Sequence, residues 1–229
     1  ALVALTLASC EEKSEKDTSY APPQDLVLNS DIMTPEVLWS MNRLGEYAVS
    51  PDGKHVVYNL TYFNIPENKS KTDIYIIDID GNNNRCLTKS FSNELSPTWN
   101  KDGSKILFMC ADSGDMQVWE MNPDGSERKQ VSFVDGGITG FKYSPDESQL
   151  LFTAEVKLKD NVADIYPDLP LSSGRVNNDL MYRHWDQWVD TYGHIFVTSD
   201  NGKIKLDIME GEMWEAPVRP WGGMEQIAW

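Results

Sequence analysis

A short pattern returns three times along this chain, and it restricts the fold more than any total does. Ala48-Val49-Ser50-Pro51-Asp52-Gly53-Lys54-His55-Val56-Val57-Tyr58 is followed by Thr98-Trp99-Asn100-Lys101-Asp102-Gly103-Ser104-Lys105-Ile106-Leu107-Phe108. The third copy is Lys142-Tyr143-Ser144-Pro145-Asp146-Glu147-Ser148-Gln149-Leu150-Leu151-Phe152. Each reads as strand, tight turn, strand. Pro presets φ at the first turn position, Asp bonds its own backbone, and Gly takes the left-handed conformation. A second hairpin follows each copy. Ile74 to Ile79 turns at Asp80-Gly81 into Arg85-Cys86-Leu87-Thr88, and Val118 to Met121 turns at Pro123-Asp124-Gly125 into Lys129-Gln130-Val131-Ser132. Ile195 to Thr198 turns at Asp200-Asn201-Gly202 into Ile204 to Ile208. Four short antiparallel strands per unit make a propeller blade.

The fold class expected is therefore all-β, a β-propeller of four-stranded blades. Fifty residues separate Asp52 from Asp102 and forty-four separate Asp102 from Asp146, against about 40–45 for a typical blade. A longer hairpin around Pro66 to Lys71 accounts for the first excess. The blades are expected at about 47–92, 93–136 and 137–215, with the next from 224, near Ile227-Ala228-Trp229. Three blades and the start of a fourth do not close a ring, which takes about four to eight, so the propeller is expected to be incomplete. Ahead of it, a lead-in over 31–46 carries a short helix from Thr34-Pro35-Glu36 through about Arg43. Thr34 serves as N-cap and Pro35 as first residue, with Val37, Leu38 and Met41 as the apolar stripe.

The third unit is nearly two blades long but shows one second hairpin. Its surplus is an insertion at 157–193, and long insertions in regular blades often carry function. A helical insertion is expected, its second half helical. At 100° per residue Met181, Trp185, Trp188 and Tyr192 share one face, which would dock on the propeller. Arg183, Asp186 and Asp190 share the opposite face. That charged face is either a solvated stripe or a substrate-facing surface, and it supplies the three candidate substrate contacts.

The chain carries a net charge of −16, which repels phosphate backbones and argues against a nucleic-acid partner. Ala1 to Ala8 are small or apolar apart from Thr6, too few for a transmembrane helix. They read as the end of a secretory signal peptide. Leu7-Ala8-Ser9-Cys10 resembles a bacterial lipobox, making Cys10 the lipidation candidate and predicting an exported protein held at the bacterial outer membrane, periplasmic or surface-facing, by acyl chains. Residues 11–30, which include Glu11-Glu12-Lys13-Ser14-Glu15-Lys16-Asp17, read as a disordered tether. The acidic start of that tether resembles a surface-export signal of lipoproteins. Cys86 and Cys110 sit in apolar strand patterns and read as small buried hydrophobes, not a disulfide.

No chemistry of its own is legible in the chain. A nucleophile elbow needs Gly-x-Ser-x-Gly; the one pair of glycines four apart, Gly136 and Gly140, encloses Ile138. His55, His184 and His194 read as packing or surface residues. Asp78-Ile79-Asp80-Gly81-Asn82 hints at a calcium loop, but Lys89 stands where such a loop needs Glu, so it reads as the blade turn. No cofactor and no metal site is expected.

Thr34-Pro35-Glu36 leading to Val49-Ser50-Pro51-Asp52-Gly53 resembles the start of the propeller in prolyl-oligopeptidase-family (S9) serine peptidases. Asp164-Ile165-Tyr166-Pro167-Asp168-Leu169-Pro170, with Leu180-Met181-Tyr182-Arg183-His184-Trp185-Asp186, is similar to the insert of the bacterial dipeptidyl-peptidase 5-like and acylaminoacyl-peptidase-like branch. Pro220 to Trp229 also resembles that branch, and the likeness covers about 31–229. The resemblance implies a C-terminal α/β-hydrolase domain with Ser, Asp and His, capped by the propeller, and short peptides as substrates. In that reading this chain is the gating portion of the peptidase and lacks the triad. The alternative is a non-catalytic envelope propeller resembling TolB, which binds proteins; the short stretch before the first blade leaves little room for the α/β domain such proteins carry there. A WD40 scaffold fits less well, since Trp119-Glu120 replaces Trp-Asp.

Overall fold

The computed structural model describes residues 30–157, 159–177, 183–184, 187–199, 204–219 and 222–229. A single helix, α1 (Pro35–Ser40), precedes the sheets, with the Val37 N–H donating to the Thr34 side chain at 3.4 Å. It ends earlier than the sequence suggests. Arg43 turns its guanidinium back onto the carbonyls of Leu38 (3.0 Å) and Met41 (2.6 Å), closing the helix, and itself opens the first strand. No residue of α1 is buried, so its expected apolar stripe covers little; Trp39 meets Phe63 edge-on at 5.1 Å.

Three four-stranded antiparallel blades follow. The first is β1 (Arg43–Val49), β2 (His55–Asn64), β3 (Lys69–Asp78) and β4 (Arg85–Cys86). The second is β5 (Glu94–Trp99), β6 (Ile106–Cys110), β7 (Gln117–Met121) and β8 (Lys129–Gln130). In the third, β9 (Gly140–Tyr143) and β10 (Leu150–Lys157) are separated by the insertion from β13 (Thr191–Ser199) and β14 (Ile204–Asp207), and the sheet order is β9-β10-β13-β14. Residues 222–229 contain a 3₁₀ turn, Met224–Gln226, and not a strand. This segment lies along β9, where the Lys142 ammonium donates to the Ile227 carbonyl at 2.5 Å.

The repeated turn follows one hydrogen-bonding plan in all three blades. Ser50 Oγ donates to Asp52 Oδ1 (2.6 Å) and accepts from the His55 N–H (2.9 Å), while Asp52 also accepts from the Lys54 N–H (3.1 Å). Asn100 and Asp102 repeat the arrangement, as do Ser144 and Asp146. These hydrogen bonds hold the Asp carboxyls below their usual range; the Ser144 and Ser148 hydroxyls and the Ser148 N–H bring Asp146 down to about 2. Gly53 and Gly103 occupy left-handed backbone at φ 71° and 75°, and Glu147 takes the same place at φ 59°. Neighbouring turns touch: Pro51 lies under Gly103, and Glu147 accepts from the Lys101 N–H.

Alternation within single strands builds two cores. Every residue of β6 is buried. Ile106, Phe108 and Cys110 face the first blade and pack with Val57, Ile74 and Ile76. Leu107 and Met109 face the third blade and pack with Phe141, Leu150 and Phe152. Cys86 and Cys110 are free thiols, both pushed up mainly by burial.

A buried ionic cluster joins the first two blades. Lys71 on β3 donates to Asp73 (2.7 Å) and to Glu94 at the head of β5 (3.0 Å), and all three are almost fully buried. Tyr62 donates to Asp73, and Thr88 and Ser90 donate to Glu94. Arg128 reaches Glu94 (3.3 Å) and Asp112 (2.7 Å) across the faces of Phe108 and Trp119. Loss of water raises the Glu94 carboxyl above its ordinary range despite these partners.

Strand direction fixes where the insertion sits. Antiparallel strands put the repeated turns at one end of the stack and the β2–β3 hairpin at the other. The insertion occupies the equivalent hairpin of the third blade, so it emerges at the end that α1 enters.

Two outcomes follow. Gly53→Ala has open space around it, so only the backbone resists, and urea unfolding should show a loss of about 1 kcal/mol. Lys71→Ala leaves buried Asp73 without a cation and takes one of two from Glu94, and the same measurement should show a loss of about 3–5 kcal/mol.

Candidate functional site

Two of the concavities on this framework concern the candidate site. One, of about 660 Å³, runs along the inner strands β1, β5 and β9. Tyr47, Trp99 and Tyr143 line it, with Lys101 and Glu147 toward the repeated turns. Both β1 and β5 bulge here, between Leu44 and Tyr47 and between Leu95 and Thr98. Ser96 takes φ 51° at the second bulge. Bulges bend inner strands and re-aim side chains, and their recurrence in successive blades shapes one wall of the groove.

The other concavity, about 410 Å³, lies inside the insertion. Here the structure corrects the expected helix. The helical turn is in the first half, α2 (Val162–Ile165), held by a capping box between Asn161 and Asp164. The second half contains a two-stranded ribbon, β11 (Arg183–His184) against β12 (Gln187–Trp188). The sequence around these strands is rich in aromatic residues, which favour strands over helix. Met181, Trp185 and Asp186 lie outside the described residues. Tyr192 belongs to β13, paired with Val156.

That change of period changes which residues meet. A helix would set Arg183 and Trp188 on opposite faces, whereas the ribbon pairs them directly, and the guanidinium lies 4.3 Å from the indole ring centre. Arg175 lies 4.8 Å from the same ring and forms an ion pair with Asp190. Of the three expected contacts, Arg183 meets Trp188 directly and Asp190 is linked to it through Arg175. Arg175 sits in a Ser- and Gly-containing loop with no periodicity to single it out. On the cavity's other side Lys157 pairs with Asp164. At the base, Arg219 bonds Glu215 (2.7 Å) and the Thr191 carbonyl, fastening the segment after β14 to the root of the insertion.

The histidines hold strands together. His55 shares a 2.8 Å hydrogen bond with Asp78, its register partner, and buried His194 shares one of 2.8 Å with Asp207. The His184 side chain lies outside the described residues, as does Cys10. The Asp78–Asn82 segment is the blade turn, with Asp80 accepting from the Asn82 N–H at 3.0 Å. Among the described residues no group of three or more His, Cys, Asp or Glu side chains converges on a common point.

The family model for the TolB β-propeller domain (PD40) matches residues 36–176, more than half of the chain. The chain belongs to that family. Curated relatives named dipeptidyl-peptidase 5 include one from Porphyromonas endodontalis, 42% identical over 90% of this chain. Another, from Porphyromonas gingivalis, is 46% identical over 86% of it. The chain spans 30% and 29% of their lengths. Among solved structures, an acylaminoacyl peptidase from Pyrococcus horikoshii matches 74% of this chain and 25% of its own, with a TM-score of 0.55 and 17% identity; that likeness is one of fold.

Within this PD40 propeller the insertion is peripheral to the sheet. The β10–β13 register continues unbroken to Lys157 and Thr191, so residues 158–190 are the loop of an otherwise regular hairpin. Replacing them with Asn-Gly, which suits a two-residue hairpin turn, should leave the unfolding free energy within about 1 kcal/mol of the parent, as surface-loop changes usually do. Urea titration followed by tryptophan fluorescence checks this.

Proposed function

We propose that this chain is the access-controlling propeller of an exported S9 serine peptidase that removes short units, dipeptides or acylated residues, from peptides. The observation that carries the reading is its 42–46% identity to dipeptidyl-peptidase 5 proteins across nearly the whole chain. The nucleophile, acid and histidine would come from an α/β-hydrolase domain in the same polypeptide, since the chain has no Gly-x-Ser-x-Gly elbow. Against such a domain, the inner-strand groove and the insertion would limit entry to short, flexible chains. Cys10 would carry lipid, with residues 11–30 as the tether, placing the peptidase at the outer membrane of a bacterial envelope.

The experiment is labelling with a fluorophosphonate probe. Purified residues 1–229 should not react, while the full-length polypeptide should label and release dipeptides from chromogenic substrates. A full-length polypeptide that neither labels nor hydrolyses would overturn the peptidase reading and favour a binding propeller. For the anchor, Cys10→Ala should move the protein from the membrane pellet to the soluble fraction; unchanged pelleting would exclude lipidation there.

A further inference from the structure

We propose that Arg175 and Arg183, which both lie over Trp188, form a subsite for a peptide carboxylate at the edge of the insertion's cavity, which Arg175 and Trp188 line. Two guanidinium groups lie over one indole, at 4.8 Å and 4.3 Å from its centre. The ring attracts each cation, while the two like charges repel one another. Asp190 offsets one of them by its ion pair with Arg175. A second carboxylate is the group that completes the charge balance.

The geometry suits that ligand. A guanidinium is a planar fork of five N–H donors, matched to the two oxygens of a carboxylate. The cation–π contact holds each guanidinium at the ring while its N–H groups remain available as donors. The ring also covers one side from water, so the attraction is stronger than between freely solvated groups. Beside this stack the cavity of about 410 Å³ is lined by Ser173 and Asn177, side chains able to bond peptide amides. The cations stand out against the net charge of −16 on the chain, which otherwise repels anions. This inference concerns binding alone and does not depend on the peptidase reading.

Titration calorimetry on the full-length polypeptide tests it, with peptide integrity checked by mass. Three ligands are compared: N-acetyl-tetraalanine as the free acid, its C-terminal amide, and the amide with Glu in the third position. The free acid should bind at least tenfold tighter than the plain amide. Arg175→Gln and Arg183→Gln should each remove most of that difference, and Arg183→Lys should keep only part of it. If the Glu-containing amide binds as the free acid does, the carboxylate recognised is a side chain and the subsite stands. Equal binding of acid and plain amide, no measurable binding of any peptide, or unchanged selectivity in the variants overturns the proposal. Should Arg175→Gln fail to fold, Arg183→Gln on the exposed ribbon decides alone.

Discussion

The side chains of β6 alternate between two neighbours, and the stack depends on that alternation. Ile106, Phe108 and Cys110 complete the core of the first blade, while Leu107 and Met109 complete that of the third. A four-stranded sheet has two apolar faces and cannot cover either alone. Each blade is therefore stable only against its neighbours, as in other repeat architectures. Truncating a buried Phe costs about 3–5 kcal/mol, comparable with the whole stability of a small domain, so one side chain at such a junction matters to two blades.

Polar groups at the junctions follow the same logic on a smaller scale. Lys71, Asp73, Glu94 and Arg128 are removed from water where the first two blades meet, and each finds partners there. Such a cluster adds little net stability over apolar packing. What it supplies is register, because the charges pair only when β3 and β5 sit at one mutual height. The repeated Ser/Asn-Pro/Lys-Asp turns act at the opposite end, where adjoining copies touch through Pro51 with Gly103 and Lys101 with Glu147. The blades are thus pinned at both ends, and the insertion leaves from the end that carries the ionic cluster.

The blades are legible because turn chemistry repeats in residue identity: Asp recurs in all three turns at a near-constant interval, with Pro before it in two and Gly after it in two. The insertion departs from the expected helix where that signal stops. Trp185, Trp188 and Tyr192 fit a helical stripe by spacing, but aromatic residues close together also favour strands, and a cross-strand pair such as Arg183 with Trp188 leaves no periodic trace. The ionic cluster was equally hidden. Lys71 and Glu94 lie in different blades, and their burial follows from how sheets stack, which no local window contains. Arg175 was invisible for the same reason, since its partners Trp188 and Asp190 come from the far side of the loop.

Native-state hydrogen exchange on two β6 variants tests most directly the claim that this strand serves two blades. Phe108→Ala should raise exchange in β2 and β3 and leave β10 protected, whereas Met109→Ala should raise exchange in β10 and spare β3. That separation is the expected result if alternate residues of one strand hold different neighbours. Identical exchange patterns in the two variants, or changes confined to the second blade, would contradict the account.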